Sequence, residues 1–191
     1  GGYDPAAEMS FAPALCNRLD RNTGGLVLAA KTAAALRVMN EKIKLRQVDK
    51  RYRCLVHGRP EPAQGRIELF MRKRPDENRI EVFHHPVPDG RTMITDYKVL
   101  DSDGTYSLLE VHLITGRTHQ IRATMAEIGH PLVGEGKYSA RKNTLGFTHQ
   151  ALCAWSLTFR FEGDSEPLGY LNGRTFTVGE DPFAHLLHRG K

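Results

Sequence analysis

Apolar residues recur along the chain at two spacings, and the changes between them mark out strands and helices. Gly25–Lys31, GLVLAAK, is a continuous apolar run that reads as a buried strand. Thr32 is placed to cap a helix after it, with Leu36, Met39, Ile43 and Gln47 at helical spacing. Lys50–Pro60, KRYRCLVHGRP, alternates as a strand does and stops at Gly58-Arg59-Pro60. Segment 65–85, GRIELFMRKRPDENRIEVFHH, predicts a hairpin turning at PDEN, and 92–115 predicts a second turning at DSDG. Thr118 then offers an N-cap for a helix carrying Ile121, Met125 and Ile128, which Gly129 and Pro131 end. Strand character returns in His149–Phe161, HQALCAWSLTFRF. Residues 1–15 lack periodicity and read as an irregular arm, while 163–191 mixes turn residues with a short helix near Phe183–His188. Hairpins interrupted by helices predict one α+β domain, a mainly antiparallel mixed β-sheet with flanking helices.

Composition narrows the class. A chain of 191 residues, 40% hydrophobic and 26% charged, suits one large globular domain. No apolar run approaches the length of a membrane span, so no membrane partner is expected. Cys16, Cys54 and Cys153 are scattered, which argues against a disulfide framework and paired zinc ligands and for a reducing compartment. The expected protein is therefore a cytoplasmic monomer. The net charge of +5 favours a polyanionic partner only weakly, but its distribution says more. Basic residues cluster at 42–53, KIKLRQVDKRYR, and at 72–79, RKRPDENR, as a rim for phosphates would require.

Three stretches could carry chemistry. In NRLDRNTGGL, Asp20 stands between Arg18 and Arg21 and before a tight turn at Gly24-Gly25. Such a turn can aim the carboxylate into a cleft, or the aspartate can simply bond its own loop. In TGRTHQIR, Thr115–Arg122, a helix begins beside Arg117, His119 and Arg122. Cations at that end oppose the helix dipole, so either a carboxylate from elsewhere or a phosphate sits near them, or the stretch is a solvated helix start with surface arginines. In KRYR, Lys50–Arg53, Tyr52 lies among cations at the start of a strand, where it can stack on a base or be half-buried core. The histidines show no metal-ligand spacing, and no phosphate-cradling glycine motif or nucleophile elbow is present. Neither metal nor cofactor is expected.

Taken in order, these stretches resemble the RluA-type pseudouridine synthases. Arg18, Leu19, Asp20, Thr23, Gly25 and Leu26 match the family's aspartate motif, and Thr115–Arg122 with Gly129–Pro131 match its later motif. KRYRCLVHG is similar to its Lys-x-Tyr motif, and FTHQALCAWSLTF to its late strand, with His149 at the histidine. Asn17 replaces the usual histidine and Gly24 the usual serine, which implies changed loop contacts. Family members usually carry further strands before this point, and many an S4-like RNA-binding domain. Residues 1–191 are thus expected to be a pseudouridine synthase catalytic domain lacking those parts.

The resemblance implies isomerisation of uridine in RNA without metal or cofactor, with large-subunit (23S) ribosomal RNA as the expected substrate and tRNA as the alternative. It implies catalytic roles for Asp20, Tyr52 and Arg122: the carboxylate acts at the ribose, Arg122 is its ion-pair partner, and Tyr52 stacks on the uracil. Ile121 would press the other side of the base. Arg18, Arg21, Thr23, Lys50, Arg117, His119 and Gln120 complete the expected substrate site. A non-catalytic RNA-binding module of the same fold, or a metal-independent nuclease or glycosidase using Asp20 with a histidine, would place the same residues differently in chemistry.

Overall fold

The computed structural model describes residues 11–74 and 79–187. Within them the elements are β1 (Ala14–Leu15), β2 (Gly24–Gly25), β3 (Ala29–Ala30), α1 (Ala33–Lys44), β4 (Val48–His57), β5 (Gln64–Lys73), β6 (Ile80–Phe83), β7 (Arg91–Ser102), β8 (Tyr106–Leu113), α2 (Gln120–Glu127), β9 (Leu152–Phe159) and β10 (Thr175–Thr177). Single 3₁₀ turns lie at Gly169–Leu171 and Ala184–Leu186. One large sheet runs in the order β10-β9-β4-β8-β7-β5-β6, with β2 added beside β9. The neighbours along that path pair antiparallel, whereas β2 runs parallel to β9, so the sheet is mixed. This is the expected α+β class.

Alternation along β4 decides what each sheet face carries. Tyr52, Cys54 and Val56 pack with Leu109 and Val111 against Ile121 and Met125 of α2. Leu55 joins Leu108, Val133, Phe183 and Leu187 in a separate cluster. Burying Ile121 and Met125 contributes roughly 1.5–3 kcal/mol each, which fixes α2 on the sheet. Helix α1 begins where Thr32 accepts a hydrogen bond from the Ala35 amide at 3.2 Å. Lys42 and Lys44 in its last turn suit the helix dipole.

Several expectations need correction. The run 25–31 is not one buried strand: it splits into β2 and β3, and Val27 between them is exposed. The continuous apolar stretch is used instead for two dockings, β2 on β9 and β3 on β1. Ala14–Leu15 of the supposed irregular arm is the strand β1, and residues 1–10 lie outside the described residues. Gln47 falls beyond α1, which ends at Lys44. Thr118 is not the cap of α2; His119 is, in a left-handed conformation with φ of 53° and without a side-chain cap bond. The tail contributes the edge strand β10. Its short helix is the turn at Ala184–Leu186, with His188 outside the described residues, as is the PDEN turn.

Candidate active site

The loop from Cys16 to Leu28 carries Asp20 at its tip. Its base is closed by the Cys16 amide donating to the Leu28 carbonyl and the Leu28 amide donating to Asn17 Oδ1, both at 2.8 Å. The tip turns where the Thr23 amide donates to the Asp20 carbonyl at 3.0 Å, with Asn22 at a φ of 64°. Gln150 Nε2 holds the turn from β9's side, donating to the Arg21 carbonyl at 2.6 Å and to Thr23 Oγ1 at 3.2 Å. Gly25 then lies flat on β9, at a φ of 107°, and the Leu26 amide donates to the Ala154 carbonyl at 3.0 Å. Ala154 pairs with Tyr52 in the sheet, so the turn and the tyrosine share one scaffold.

The start of α2 is fixed by Gln120. Its Oε1 accepts from Thr115 Oγ1 at 2.9 Å and the Arg117 amide at 3.0 Å, and its Nε2 donates to Ile94 O and Thr95 Oγ1, both at 3.0 Å. Those four bonds use the full capacity of a side-chain amide. Gln120 therefore anchors the segment to β7, and its amide has nothing left to offer a ligand.

Arg122, one turn into α2, meets two carboxylates. Glu135 takes the guanidinium bidentately, with Nε to Oε2 at 2.7 Å and Nη2 to Oε1 at 2.8 Å. Asp20 Oδ2 stands 4.0 Å from Nη1. The cation conflict at the helix start is thus resolved by an anion, as expected, but chiefly by Glu135. Burial alone would lower the Arg122 pKa, yet the Glu135 contact and then Asp20 carry it upward. Burial pushes Glu135 up, but Arg122 and the amides of Lys137 and Tyr138 hold it below the usual carboxylate range. The Tyr138 ring lies 5.8 Å from the guanidinium.

An open cleft of about 1050 Å³ lies beside this group, lined by Asp20, Lys50, Tyr52, Arg72, Arg117 and Ile121 among others. Arg18, Thr23 and Gln120 line it too, and Arg18 Nη2 donates to Thr118 Oγ1 at 3.0 Å across its mouth. Burial, reinforced by the nearby Asp20, pushes the Tyr52 phenol up to about 12, so it stays protonated at neutral pH. Burial lowers the Lys50 pKa. Among the described residues Lys50 has no carboxylate partner.

Arg122 does not itself line the cleft and reaches it only beside Asp20, and two other expected site residues fall elsewhere. Arg21 is exposed and does not line the cleft; it contributes its carbonyl to the Gln150 bond. His119 is buried, with Nδ1 bonded to Tyr138 Oη at 2.8 Å, and lies behind the cleft wall. Burial lowers its pKa against the pull of Asp20. The basic run 42–53 is also divided. Lys50 faces the cleft, but Arg51 and Arg53 pair with Glu110, and Lys42 donates to the Glu162 carbonyl at 2.6 Å. Arg72, Lys73 and Arg74 do line the rim, Arg72 and Arg74 both pairing with Glu81, while 75–78 lie outside the described residues.

The residues not foreseen are Glu135, Tyr138 and Gln150. The signal available was the charge conflict itself, which demanded an anion and left Glu127 and Glu135 downstream as candidates.

The profile of the RNA pseudouridylate synthase family matches residues 3–127. An uncharacterised RNA pseudouridine synthase of Chloroflexus aurantiacus is 43% identical over 151 residues, which are 79% of this chain and 46% of that protein. Ribosomal large subunit pseudouridine synthase D of Blochmanniella floridana is 35% identical over 136 residues, 71% of this chain and 41% of that protein. The chain spans about half the length of these curated relatives. Among solved structures, human RNA pseudouridylate synthase domain containing 1 superposes with a TM-score of 0.70 at 24% identity, covering 92% of this chain and 72% of that one, a likeness of fold. Human RNA pseudouridylate synthase domain containing 4 gives 0.65 at 25% identity, covering 76% of this chain and 66% of that one.

Proposed function

Because the chain belongs to the RNA pseudouridylate synthase family, we propose that it is the isomerising domain of an enzyme that converts uridine to pseudouridine in RNA. The reaction breaks the N1–C1′ bond, turns the uracil, joins C5 to C1′, removes the C5 proton and returns one to N1. Nothing is oxidised or hydrolysed overall. The observation that carries the proposal is the contact of Asp20 with Arg122, at 4.0 Å, at the wall of a cleft that also presents Tyr52 and Ile121.

In this reading the Asp20 carboxylate acts at the ribose, where it meets developing positive charge at C1′. Its side chain is 21% exposed and so can be reached by a sugar, whereas that of Glu135 is fully buried. Tyr52 and Ile121 supply the surfaces on which the base turns. As a protonated phenol, Tyr52 can take the C5 proton only by passing on its own, which makes it a relay and not a simple base. Extruding the uridine costs a few kcal/mol in a duplex. Arg18, Lys50, Lys73 and Arg117 offset that cost through phosphate contacts. Large-subunit ribosomal RNA is the substrate we favour, supported by the likeness to the Blochmanniella enzyme.

In the full-length protein, Asp20→Ala is expected to abolish pseudouridine formation while RNA binding persists, read by mass and by a pseudouridine-specific chemical label. Appreciable residual product would refute the assignment. Cleaved strand or free uracil from the unsubstituted protein would favour a nuclease or glycosidase, and binding without any product an inactive RNA-binding module.

A further inference from the structure

We infer that Glu135 is a positioning residue of the proposed isomerisation: it holds Arg122 by one edge, so that the guanidinium faces Asp20 without closing on it. This rests on the function proposed above and concerns how the Asp20 site is kept open.

An arginine beside a lone carboxylate tends to engage both oxygens in a paired fork. That arrangement would place two N–H donors on the lone pairs that must meet the ribose. Here the Nε/Nη2 edge of the fork is already occupied, which fixes where the Nη1 end can lie. Arg122 Nε and Nη2 are bound to Glu135 at 2.7 and 2.8 Å, and Nη1 lies 4.0 Å from Asp20, beyond hydrogen-bond reach. Asp20 thus feels a fixed positive charge while its oxygens stay uncapped.

Glu135 is itself immobilised. Its Oε1 accepts from the Lys137 amide at 2.7 Å and the Tyr138 amide at 3.2 Å, and its side chain is fully buried. The preceding Gly134 has a φ of 76°, and a Cβ there would stand 2.2 Å from the His149 carbonyl oxygen, so this turn is pressed directly onto the segment leading into β9. Tyr138 closes the other side, its ring near the guanidinium and its hydroxyl bonded to His119 Nδ1 at 2.8 Å. The guanidinium is thus held through Glu135 and Tyr138 by contacts that do not include Asp20.

The test uses the full-length protein with an RNA it modifies. Glu135→Gln keeps the shape but weakens the grip, freeing Arg122 to close on Asp20. We expect kcat to fall on the order of 10²-fold with KM within about threefold. In an Arg122→Met background, where the same substitution also relieves a buried unpaired carboxylate, it should cause no further loss of kcat, because Glu135 acts only through Arg122. If Glu135→Gln lacks a cooperative melt, Glu135→Asp, which keeps the anion but shifts it, serves instead and should show the same split. Unchanged kcat in a folded variant, equal losses in kcat and in RNA binding, or a further loss in the Arg122→Met background would overturn the inference while leaving the proposed function intact. Absence of pseudouridine from the unsubstituted protein would instead remove the function, and this inference with it.

Discussion

Replacing Gly25 with alanine should move the candidate catalytic carboxylate without touching it. The added Cβ would stand 2.3 Å from the Ala154 carbonyl oxygen and 2.6 Å from the Ala154 nitrogen, distances that no relaxed structure tolerates. These are backbone atoms, and Ala154 is paired with Tyr52 in β4, so β9 cannot recoil without carrying the tyrosine along. The strain therefore lifts β2 and the Asp20 turn from the sheet or displaces Tyr52; either shifts the site. A side chain at a φ of 107° adds roughly 1–3 kcal/mol of backbone strain, and loss of the Leu26–Ala154 hydrogen bond adds about 1 more. The expected destabilisation is about 2–4 kcal/mol. Misplacing a reacting group by ~1 Å costs on the order of 10²-fold in rate. Gly24 is the internal control, because a Cβ there meets nothing within 4 Å. Gly24→Ala should stay within about 0.5 kcal/mol of the parent. Urea unfolding and pseudouridine formation would be measured on both variants. If the two behave alike, or if Gly25→Ala is fully active, the docking of β2 on β9 does not position Asp20.

Lys50→Met should weaken RNA binding and flatten its logarithmic salt dependence by about 0.7–0.9, since one desolvated cation without a carboxylate partner is removed from the cleft wall; an unchanged slope in a binding titration would show that Lys50 meets no phosphate. His57 is 6% exposed and its buried Nε2 has no hydrogen-bond partner, so burial, and then Arg141, lower its pKa below 6.5. A depressed folded-state value means stability that is present above pH 6.5 and lost as pH falls through the folded value. The slope contributed there is at most about 1.4 kcal/mol per pH unit. His57→Phe, which keeps an aromatic ring against Tyr106, should shallow that acid slope in chemical unfolding at a series of pH values; an unaltered slope would assign it to other groups.

The parts of the fold read correctly from sequence are those where one local rule decided the matter. The two hairpins and β4 follow from alternation, and Thr32 caps α1 because its side chain serves its own helix. What failed depended on distant partners. Thr118 has the chemistry of a cap, but its hydroxyl accepts from Arg18, a hundred positions earlier, and Gln120 has already tied the Arg117 amide. The run at 42–53 looked like a single basic face because composition ignores which side of a strand each residue leaves. Arg51 and Arg53 leave the strand on the side away from the cleft, where they pair with Glu110. β10 is three residues long, too short to show a period.

The start of α2 is the instructive case, because there the sequence stated a requirement without naming what met it. Cations against a helix dipole need an anion, and two carboxylates arrive. Exposure divides the guanidinium between them. Glu135, with no access to water, must have its charge matched by direct donors, so it takes the fork of Arg122 and two backbone amides as well. Asp20 at 21% exposure keeps part of its hydration and can remain at 4.0 Å. Burial thus assigns the structural task to the carboxylate that no solvent reaches, and leaves the carboxylate at the cleft open to solvent. Nothing in the order of residues along the chain encodes that division, and of the two partners only Asp20 was identified from it.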